Sequence, residues 1–178
     1  ICADLLLPNK RWVKVAQEMK RALLDKSRKR FTRTIGNFPD KRSDASLLGL
    51  AWPFCIVRHS DGRMDLTIKS IEKDIVDNYG VHRYAQDEYD GWMYNDDTNR
   101  KKGAGYWPLL NFWMSIILNE RGDKRKALRY YNKVLSDIGN KRHIPEQIFN
   151  NKIQVSVSPL AWSHAMFVIA TDKLRILD

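Results

Sequence analysis

The chain has 178 residues, 43% of them hydrophobic, and a formal net charge of +10. This length and composition predict one folded domain over residues 1–178, with a hydrophobic core, and they exclude an intrinsically disordered chain. No uninterrupted apolar run approaches the roughly 18 residues that a membrane span requires, so we expect no membrane association. Cys2 and Cys55 are too few for a disulfide framework, which favours a reducing, cytoplasmic location.

The basic residues are spread over several segments and form no single binding motif. They fall mainly within residues 11–30, 99–102 and 122–133. The net charge allows a nucleic-acid or other anionic partner, but no recognition-helix or ribonucleoprotein motif accompanies it. We therefore interpret these residues as solvated side chains on exposed helix faces and expect no nucleic-acid partner. Because the chain begins at Ile1 and not at Met, we expect it to be part of a longer polypeptide or a processed product.

Hydrophobic periodicity predicts six helices that alternate in character along the chain. In the first, third and fifth, apolar residues recur at helical spacing between charged ones, whereas the second, fourth and sixth are almost without charge. Asn9 is the expected N-cap of the first helix, Gly80 the C-cap of the third, and Ser158–Pro159 the start of the sixth. In chain order, the predicted helices span residues 10–29, 44–57, 67–79, 106–118, 123–138 and 158–170.

The alternation of the helices predicts two concentric layers. An amphipathic helix covers a core, whereas a helix that is apolar all round is buried. Three antiparallel pairs, each with an apolar inner and an amphipathic outer helix, describe an arc of an α/α barrel, so we predict an all-α fold. The alternative is a helical-repeat solenoid, but the inner helices begin at irregular intervals of 62 and 53 residues. No strand is expected, since the alternating run at 155–158 is too short.

The polar candidate residues gather where the inner helices begin. The loops 83–102 and 141–157 each precede an inner helix, and Asp44 begins the first one, so all three should lie on one rim. Glu146 is a lone carboxylate before a helix that carries Trp162 and no acid. A carboxylate beside an aromatic ring is typical of sugar-cleaving sites, although a loop carboxylate or a helix cap is the simpler interpretation.

Other residues of chemical interest are interpreted as structural. His164 lies on an apolar helix and is expected to be a buried imidazole with its hydrogen bonds satisfied, not a ligand. Trp52 and Trp113 are expected to pack in the core, and Trp92 and Tyr94 to be exposed loop aromatics or part of a lid. The run at 86–91 lacks the first ligand of a calcium loop, so we expect no metal and no cofactor.

Several motifs together resemble a known family. The segments 107–128, 144–147 and 158–170 are similar to the C-terminal half of the catalytic domain of glycoside hydrolase family 15, which includes glucoamylases, glucodextranases and some microbial trehalases. Residues 44–50 resemble an earlier inner-helix motif of that family, and residues 82–91 resemble its Arg-Tyr-x-x-Asp-x-Tyr loop. The motifs occur in the family's order and cover nearly all of the chain. The resemblance implies about half of an (α/α)6 barrel.

The resemblance also implies a reaction and a site. Members of the family hydrolyse α-glucosidic bonds with inversion, using one carboxylic acid and one carboxylate base roughly 6.5–9.5 Å apart. By resemblance, Glu146 is the catalytic base, and Arg83 and Asp87 bind the glucose of an α-glucoside or oligosaccharide substrate. The aromatic positions that line the same pocket in the family correspond to Tyr89, Trp107 and Trp162.

The chain departs from the family pattern in one respect. The family's general acid lies in an upstream Trp-Glu motif, and none of the five glutamates of this chain follows a Trp. The chain therefore supplies only the general-base half of the site, and we expect it to be inactive alone. The missing half predicts open apolar flanks, closed by self-association or by a complementary N-terminal half. The alternative is a non-catalytic helical binding or assembly module, a degenerate half barrel.

Overall fold

A computed structural model describes residues 7–89, 91, 104–151 and 154–176 of the chain. The described part is mostly helical, with one small two-stranded sheet. No helix within these ranges is long and apolar enough to cross a membrane. In chain order, the elements are α1 (Lys10–Lys26), a 3-10 helix (Ala45–Leu50), α2 (Gly62–Ile75), β1 (Val76–Asp77), β2 (Gly80–Val81), α3 (Pro108–Glu120), α4 (Lys124–Ile138) and α5 (Ala161–Lys173).

Helix α3 is the centre of the hydrophobic core. It carries no charged side chain before Glu120, and Pro108 occupies its first turn, where the missing N–H group has no helical partner to lose. Both α4 and α5 pack against it. Burial of this apolar helix between its neighbours is the main favourable contribution to folding. Its buried residues are Pro108, Leu110, Asn111, Phe112, Met114, Ser115, Ile116, Ile117 and Leu118.

Helix α4 is the amphipathic cover of α3. The Asp123 side chain caps its first turn by accepting a hydrogen bond from the Lys126 N–H, and Gly139 with φ of 52° ends it. Ala127 and Val134 lie on its buried face. The Ser115 hydroxyl on α3 donates to the carbonyl of Ala127 at 2.8 Å, so a buried polar bond also joins the two layers.

The amphipathic helix α2 covers the first part of the core. Asp61 caps it, and Met64, Ile68 and Ile71 lie on its buried face. It packs against the 3-10 helix, which in turn packs against α3. At its outer side, Glu72 accepts hydrogen bonds from both the Lys126 ammonium and the Tyr130 hydroxyl of α4.

The bounds of four predicted helices were wrong. The first, expected over 10–29, ends at Lys26, and Ser27 is its C-cap. The helix expected over 44–57 is a 3-10 helix of six residues, Ala45–Leu50, and the following turns contain Pro53, which lacks the N–H that a continuing helix would need. The helix expected over 67–79 is Gly62–Ile75, because its last predicted residues pair in the sheet. Gly80 is therefore a strand residue and not a C-cap; a Cβ there would lie 2.8 Å from the Tyr106 ring.

The sixth helix also begins later than predicted. Ser158–Pro159 does not cap it; Leu160 is the N-cap residue, with no side-chain hydrogen bond, and the helix runs to Lys173. The Leu160 N–H instead donates to the carbonyl of Ile144 at 3.0 Å, which holds the residue in an extended conformation outside the helix. This bond also joins the helix start to the loop that carries Glu146.

Two helices have apolar faces that no described residue covers. On α5, Met166 is buried against the core, but Trp162 is 58% and Val168 64% exposed. Helix α1 contains no buried residue, and Trp12 and Met19 are exposed, although Leu23 and Leu24 near its end pack against the core. The two open apolar faces therefore lie on the first and last of the described helices. On the predicted inner helices, Leu110 and Met166 are buried and Leu47 is half-buried. On the predicted outer helices, Lys14 and Lys73 are exposed and Lys126 is half-buried.

Candidate functional site

Backbone hydrogen bonds bring two distant loops to the same end of the core. The loop after β2 is attached to the start of the 3-10 helix, because the Ala45 N–H donates to the Arg83 carbonyl at 2.8 Å. The loop before α5 is attached to the start of α3 by reciprocal bonds between Tyr106 and Ile148. The Trp107 N–H donates to the Val81 carbonyl at 2.9 Å. The predicted rim of polar residues therefore exists.

Arg83 and Asp87 form a bidentate ion pair on this rim. The Arg83 Nε and one terminal nitrogen donate to the two Asp87 oxygens, each at 2.8 Å. The Asp87 side chain is only 2% exposed, and it also accepts the N–H of Tyr89. The hydrogen bond with Asp87 raises the pKa of the Arg83 guanidinium further above its usual range, so the guanidinium remains charged.

Two aromatic rings of the predicted site lie beside the guanidinium of this pair, and the Tyr84 ring lies beside it as well, at 4.8 Å. The Arg83 guanidinium carbon lies 5.0 Å from the centre of the Tyr89 ring and 5.1 Å from that of Trp107. The two ring centres are 6.3 Å apart. Within this distance the ring faces attract the cation, which fixes the orientation of all three side chains. The indole nitrogen of Trp107 is buried and has no hydrogen-bond partner among the described residues.

Glu146 joins this group through Tyr89. The Tyr89 hydroxyl donates to one carboxylate oxygen of Glu146 at 3.1 Å, and among the described residues no other side chain bonds to that carboxylate. Partial burial, and then the negative charge of Glu146, raise the pKa of Tyr89 above its usual value. Tyr89 is therefore a protonated donor at neutral pH, and the half-buried carboxylate retains acceptor capacity.

Hydrogen bonds on both sides of Glu146 fix its backbone. Its own N–H donates to the Val157 carbonyl at 2.9 Å, and the Ser163 hydroxyl of α5 donates to the Pro145 carbonyl at 3.0 Å. His164 accepts the Ile144 N–H at its Nε2 atom, at 2.9 Å. His164, which was predicted to be buried with its hydrogen bonds satisfied, is half-buried, and its Nε2 atom is the ring nitrogen that has a partner among the described residues.

Gln147 is a buried connection between two loops. Its side-chain oxygen accepts the Gly105 N–H at 2.8 Å, while its own N–H donates to the Ser156 hydroxyl at 2.8 Å. Gly91, with φ of 63°, lies so close that a Cβ there would be 2.7 Å from Ser156. The loop before α3 and the loop before α5 therefore meet at Gln147. Nothing in the spacing of Ser156 or Gly105 indicated this role, because it depends on contacts between distant segments.

The structure brings five of the six predicted site residues together. Trp162 is the exception: it projects from the start of α5, is mostly exposed, and forms no ring contact with the others among the described residues. Trp52 and Trp113 pack edge-to-face at 6.4 Å, as expected for core residues. Trp92 and Tyr94 lie outside the described residues. The grouped site residues are Arg83, Asp87, Tyr89, Trp107 and Glu146.

The described ranges contain no cluster of three or more His, Cys, Asp or Glu side chains that could hold a metal ion. The site therefore consists of one ion pair, one carboxylate and two aromatic rings. Such a set can hydrogen-bond sugar hydroxyls, contact the apolar face of a pyranose ring and accept a proton from water.

The chain is similar in sequence to parts of two larger proteins. It is 31% identical to an uncharacterized glycosyl hydrolase of Methanocaldococcus jannaschii, over 83% of this chain and 25% of that one. It is 27% identical to an isomaltose glucohydrolase of Kribbella flavida, over 75% of this chain and 35% of that one. The chain thus spans a quarter to a third of these relatives. No protein-family model matches it.

Solved structures show the same fold. A glycosidase superposes with a TM-score of 0.75 at 23% identity, covering 93% of this chain and 44% of that one. A bacterial glucoamylase complexed with acarbose superposes with a TM-score of 0.60 at 23% identity, covering 76% of this chain and 21% of that one. The predicted all-α fold is confirmed: the chain is a part, less than half, of a glucoamylase-like helical barrel.

Proposed function

We propose that the chain forms the general-base half of an inverting α-glucosidase site of the type found in glycoside hydrolase family 15. The observation that carries the proposal is the contact between Glu146 and Tyr89 beside the Arg83–Asp87 pair. The sequence similarity to a glycosyl hydrolase and to an isomaltose glucohydrolase supports the same reaction class. The substrate class is an α-glucoside or a short oligosaccharide.

Glu146 acts in this proposal as the catalytic base. Its carboxylate removes a proton from water as the water attacks an oxocarbenium-like sugar carbon. The Tyr89 hydroxyl fixes one carboxylate oxygen at 3.1 Å, which leaves the other oxygen to hold the water. In the inverting geometry the base and the acid stand roughly 6.5–9.5 Å apart, which leaves room for that water.

The ion pair and the aromatic rings position the sugar. A guanidinium already held by two bonds to Asp87 loses little conformational entropy when it donates to a sugar hydroxyl. The buried Asp87 is oriented by the same two bonds, so both groups are arranged before substrate binds. Tyr89 and Trp107 offer apolar ring surface beside them. Trp162 would contribute only after its exposed face is covered.

The general acid comes from outside this chain. Three of its other glutamates form ion pairs elsewhere: Glu18 with Lys14, Glu72 with Lys126 and Glu120 with His59. Glu88 is exposed and, like the others, does not follow a Trp. We therefore expect the acid to lie on the polypeptide that corresponds to the uncovered part of the structural neighbours.

The same polypeptide would close the open flanks. The exposed apolar residues of α5 and α1 are typical of surfaces that another helix covers. We propose that a complementary N-terminal half of the barrel packs there, with a second copy of this chain as the alternative occupant. A second copy would cover the apolar surface but would bring another base and no acid.

Glucose release tests the proposed function. The chain should be assayed on isomaltose and maltose together with the polypeptide that completes the ring, and separately alone. We expect hydrolysis only in the combined form, with the β-anomer of glucose released first, and a loss of about 10²–10⁴-fold in kcat for Glu146→Gln. Full activity of Glu146→Gln, or efficient hydrolysis by the 178-residue chain alone, would contradict the assignment of the base or of the missing acid.

The alternative is a non-catalytic helical module, and the same experiment separates it from an enzyme. A module of that kind would form the combined particle without releasing glucose, and Glu146→Gln would change nothing. The matched control is Glu120→Gln, because Glu120 lies at the far end of α3 beside His59.

A further inference from the structure

The net charge of the chain is concentrated in one segment, although its basic residues are spread more widely. Residues 10–42 contain 12 of the 31 Lys and Arg but only three of the 21 Asp and Glu, a net charge of +9. The rest of the chain, with 19 basic and 18 acidic residues, is nearly neutral. A charge asymmetry of this size indicates an anionic partner for the segment.

An open groove of about 730 Å³ lies within this basic segment. It is formed by the end of α1 and the loop that follows it, and Asp25 is the only acidic residue among those that line it. Thr32 and Thr34 add hydroxyl groups to the wall, and none of the described residues that line the groove is aromatic. Five cations face this space: Lys26, Arg28, Lys29, Arg30 and Lys41.

Among the described residues, the cations of the groove have no carboxylate partners to neutralise them. None of the five forms an ion pair with a carboxylate in the part of the chain that the structure describes. Arg30 donates to the Lys41 carbonyl at 2.6 Å, and its other terminal nitrogen is buried without a hydrogen-bond partner among the described residues. Basic residues that do pair with Asp or Glu include Arg33, Arg42, Arg63, Arg83, Arg121, Lys126 and Lys133.

We propose that this groove binds a small anion that carries one or more phosphate groups. Like charges held in one groove repel each other, and a phosphate relieves this repulsion while it accepts several charge-assisted hydrogen bonds. The absence of aromatic residues from the lining disfavours single-stranded nucleic acid, which binds largely by stacking on rings. The phosphate is either free, as in tripolyphosphate, or carried on a sugar. The proposal does not depend on the glycosidase assignment.

Titration calorimetry with the 178-residue chain tests the proposal. Tripolyphosphate, inorganic phosphate and glucose 6-phosphate are the probes, and Arg28→Gln/Lys29→Gln is the groove variant. Lys124→Gln/Arg125→Gln is the control, since it removes the same charge from exposed positions on α4. We expect saturable binding that the groove variant weakens at least about tenfold and the control less than about twofold, because two direct charge-assisted contacts are lost.

The probes also distinguish the source of the phosphate. Tighter binding of glucose 6-phosphate than of inorganic phosphate would identify a phosphorylated sugar, whereas the tightest binding of tripolyphosphate would identify a free polyphosphate; both support the groove. Equal weakening by the two variants would show diffuse attraction to the net charge and would overturn the proposal. An absence of saturable binding, or groove-dependent binding of a single-stranded oligonucleotide that is tighter than that of tripolyphosphate, would also overturn it. Matching circular dichroism spectra would establish that both variants are folded.

Discussion

Helices α3 and α5 have similar sequences but different surroundings. Both run for at least ten residues without a charged side chain. Nine residues of α3 are buried, whereas α5 buries four and exposes Trp162 and Val168. A helix that is apolar all round is stable in water only if it is covered on all sides. The difference therefore shows that the described residues enclose α3, whereas they leave one apolar face of α5 exposed.

The largest expected effect is a loss of stability, and it should be much larger for a substitution in α3 than for one in α5. Phe112 on α3 is completely buried and contacts the rings of Tyr131 and Phe167. Phe112→Ala should lower the free energy of unfolding by about 3–5 kcal/mol, because a cavity replaces the ring. Val168→Ala on the exposed face of α5 should change it by less than about 0.5 kcal/mol. Urea unfolding measures both, and equal losses would mean that α5 is covered within the chain.

Asn111 on α3 should have the next largest effect. Its side chain accepts the Val81 N–H at 2.8 Å and donates to the carbonyls of Tyr79 and Tyr130. Asn111→Ala leaves these buried backbone groups without partners, so we expect a loss of about 2–3 kcal/mol in unfolding free energy. Asn132→Ala on the exposed face of α4 is the control. A neutral Asn111→Ala would show that water replaces the amide.

A charge on the open face of α5 tests what that face does. Val168→Asp should weaken self-association, or the binding of a complementary half, by about tenfold or more, because a carboxylate would be desolvated in the interface. It should leave the stability of the free chain almost unchanged. Sedimentation velocity measures the association, with Asn132→Asp as the control of equal charge. Unaltered association would place the interface elsewhere, and a monomer at all concentrations would rule out self-association.

High pH should lower the stability of the fold. Burial and hydrogen bonds to Asp137 and Glu72 raise the pKa values of Tyr106 and Tyr130 well above their usual value of 10.0. Since these groups ionise more easily in the unfolded chain, their contribution to stability is complete below about pH 10 and is lost as pH rises above it. Urea unfolding across this range should show a falling midpoint, and Tyr106→Phe should make the fall shallower. An identical slope in Tyr106→Phe would show that Tyr106 is not responsible.

The sequence predicted helices α3 and α4 better than the 3-10 helix and the small sheet that pack beside them. The periodicity of α4 and the apolar run of α3 predicted both helices to within two residues, because their burial follows directly from hydrophobic pattern. The sequence pattern predicted too long a helix at 44–57, where Pro53 and long-range packing allow only a 3-10 helix. The pairing of Val76–Asp77 with Gly80–Val81 had no local signal long enough to detect.

The candidate site could be predicted only through the resemblance to a family. Composition and spacing indicated a lone carboxylate, Glu146, but no pattern in the sequence relates it to Tyr89, 57 residues away. The buried bonds of Gln147 to Gly105 and Ser156 were also beyond prediction, since they depend on how two loops fold and meet. Whether Trp162 joins the site stays a prediction, because its exposed ring has no described partner.

The smallest expected effect is that of Tyr89, which lies between the Arg83–Asp87 pair and Glu146. Arg83 and Asp87 satisfy each other, whereas Glu146 has one fixed oxygen and one available. Tyr89→Phe keeps the ring beside Trp107 but removes the hydrogen bond to Glu146, the proposed base. If Glu146 has that role, kcat of the combined form should fall by about two- to tenfold while KM stays nearly constant. Tyr79→Phe is the control, because the Tyr79 hydroxyl contacts Arg129 away from the site. A rise in KM with unchanged kcat would mean that the Tyr89 hydroxyl binds sugar and does not position the carboxylate.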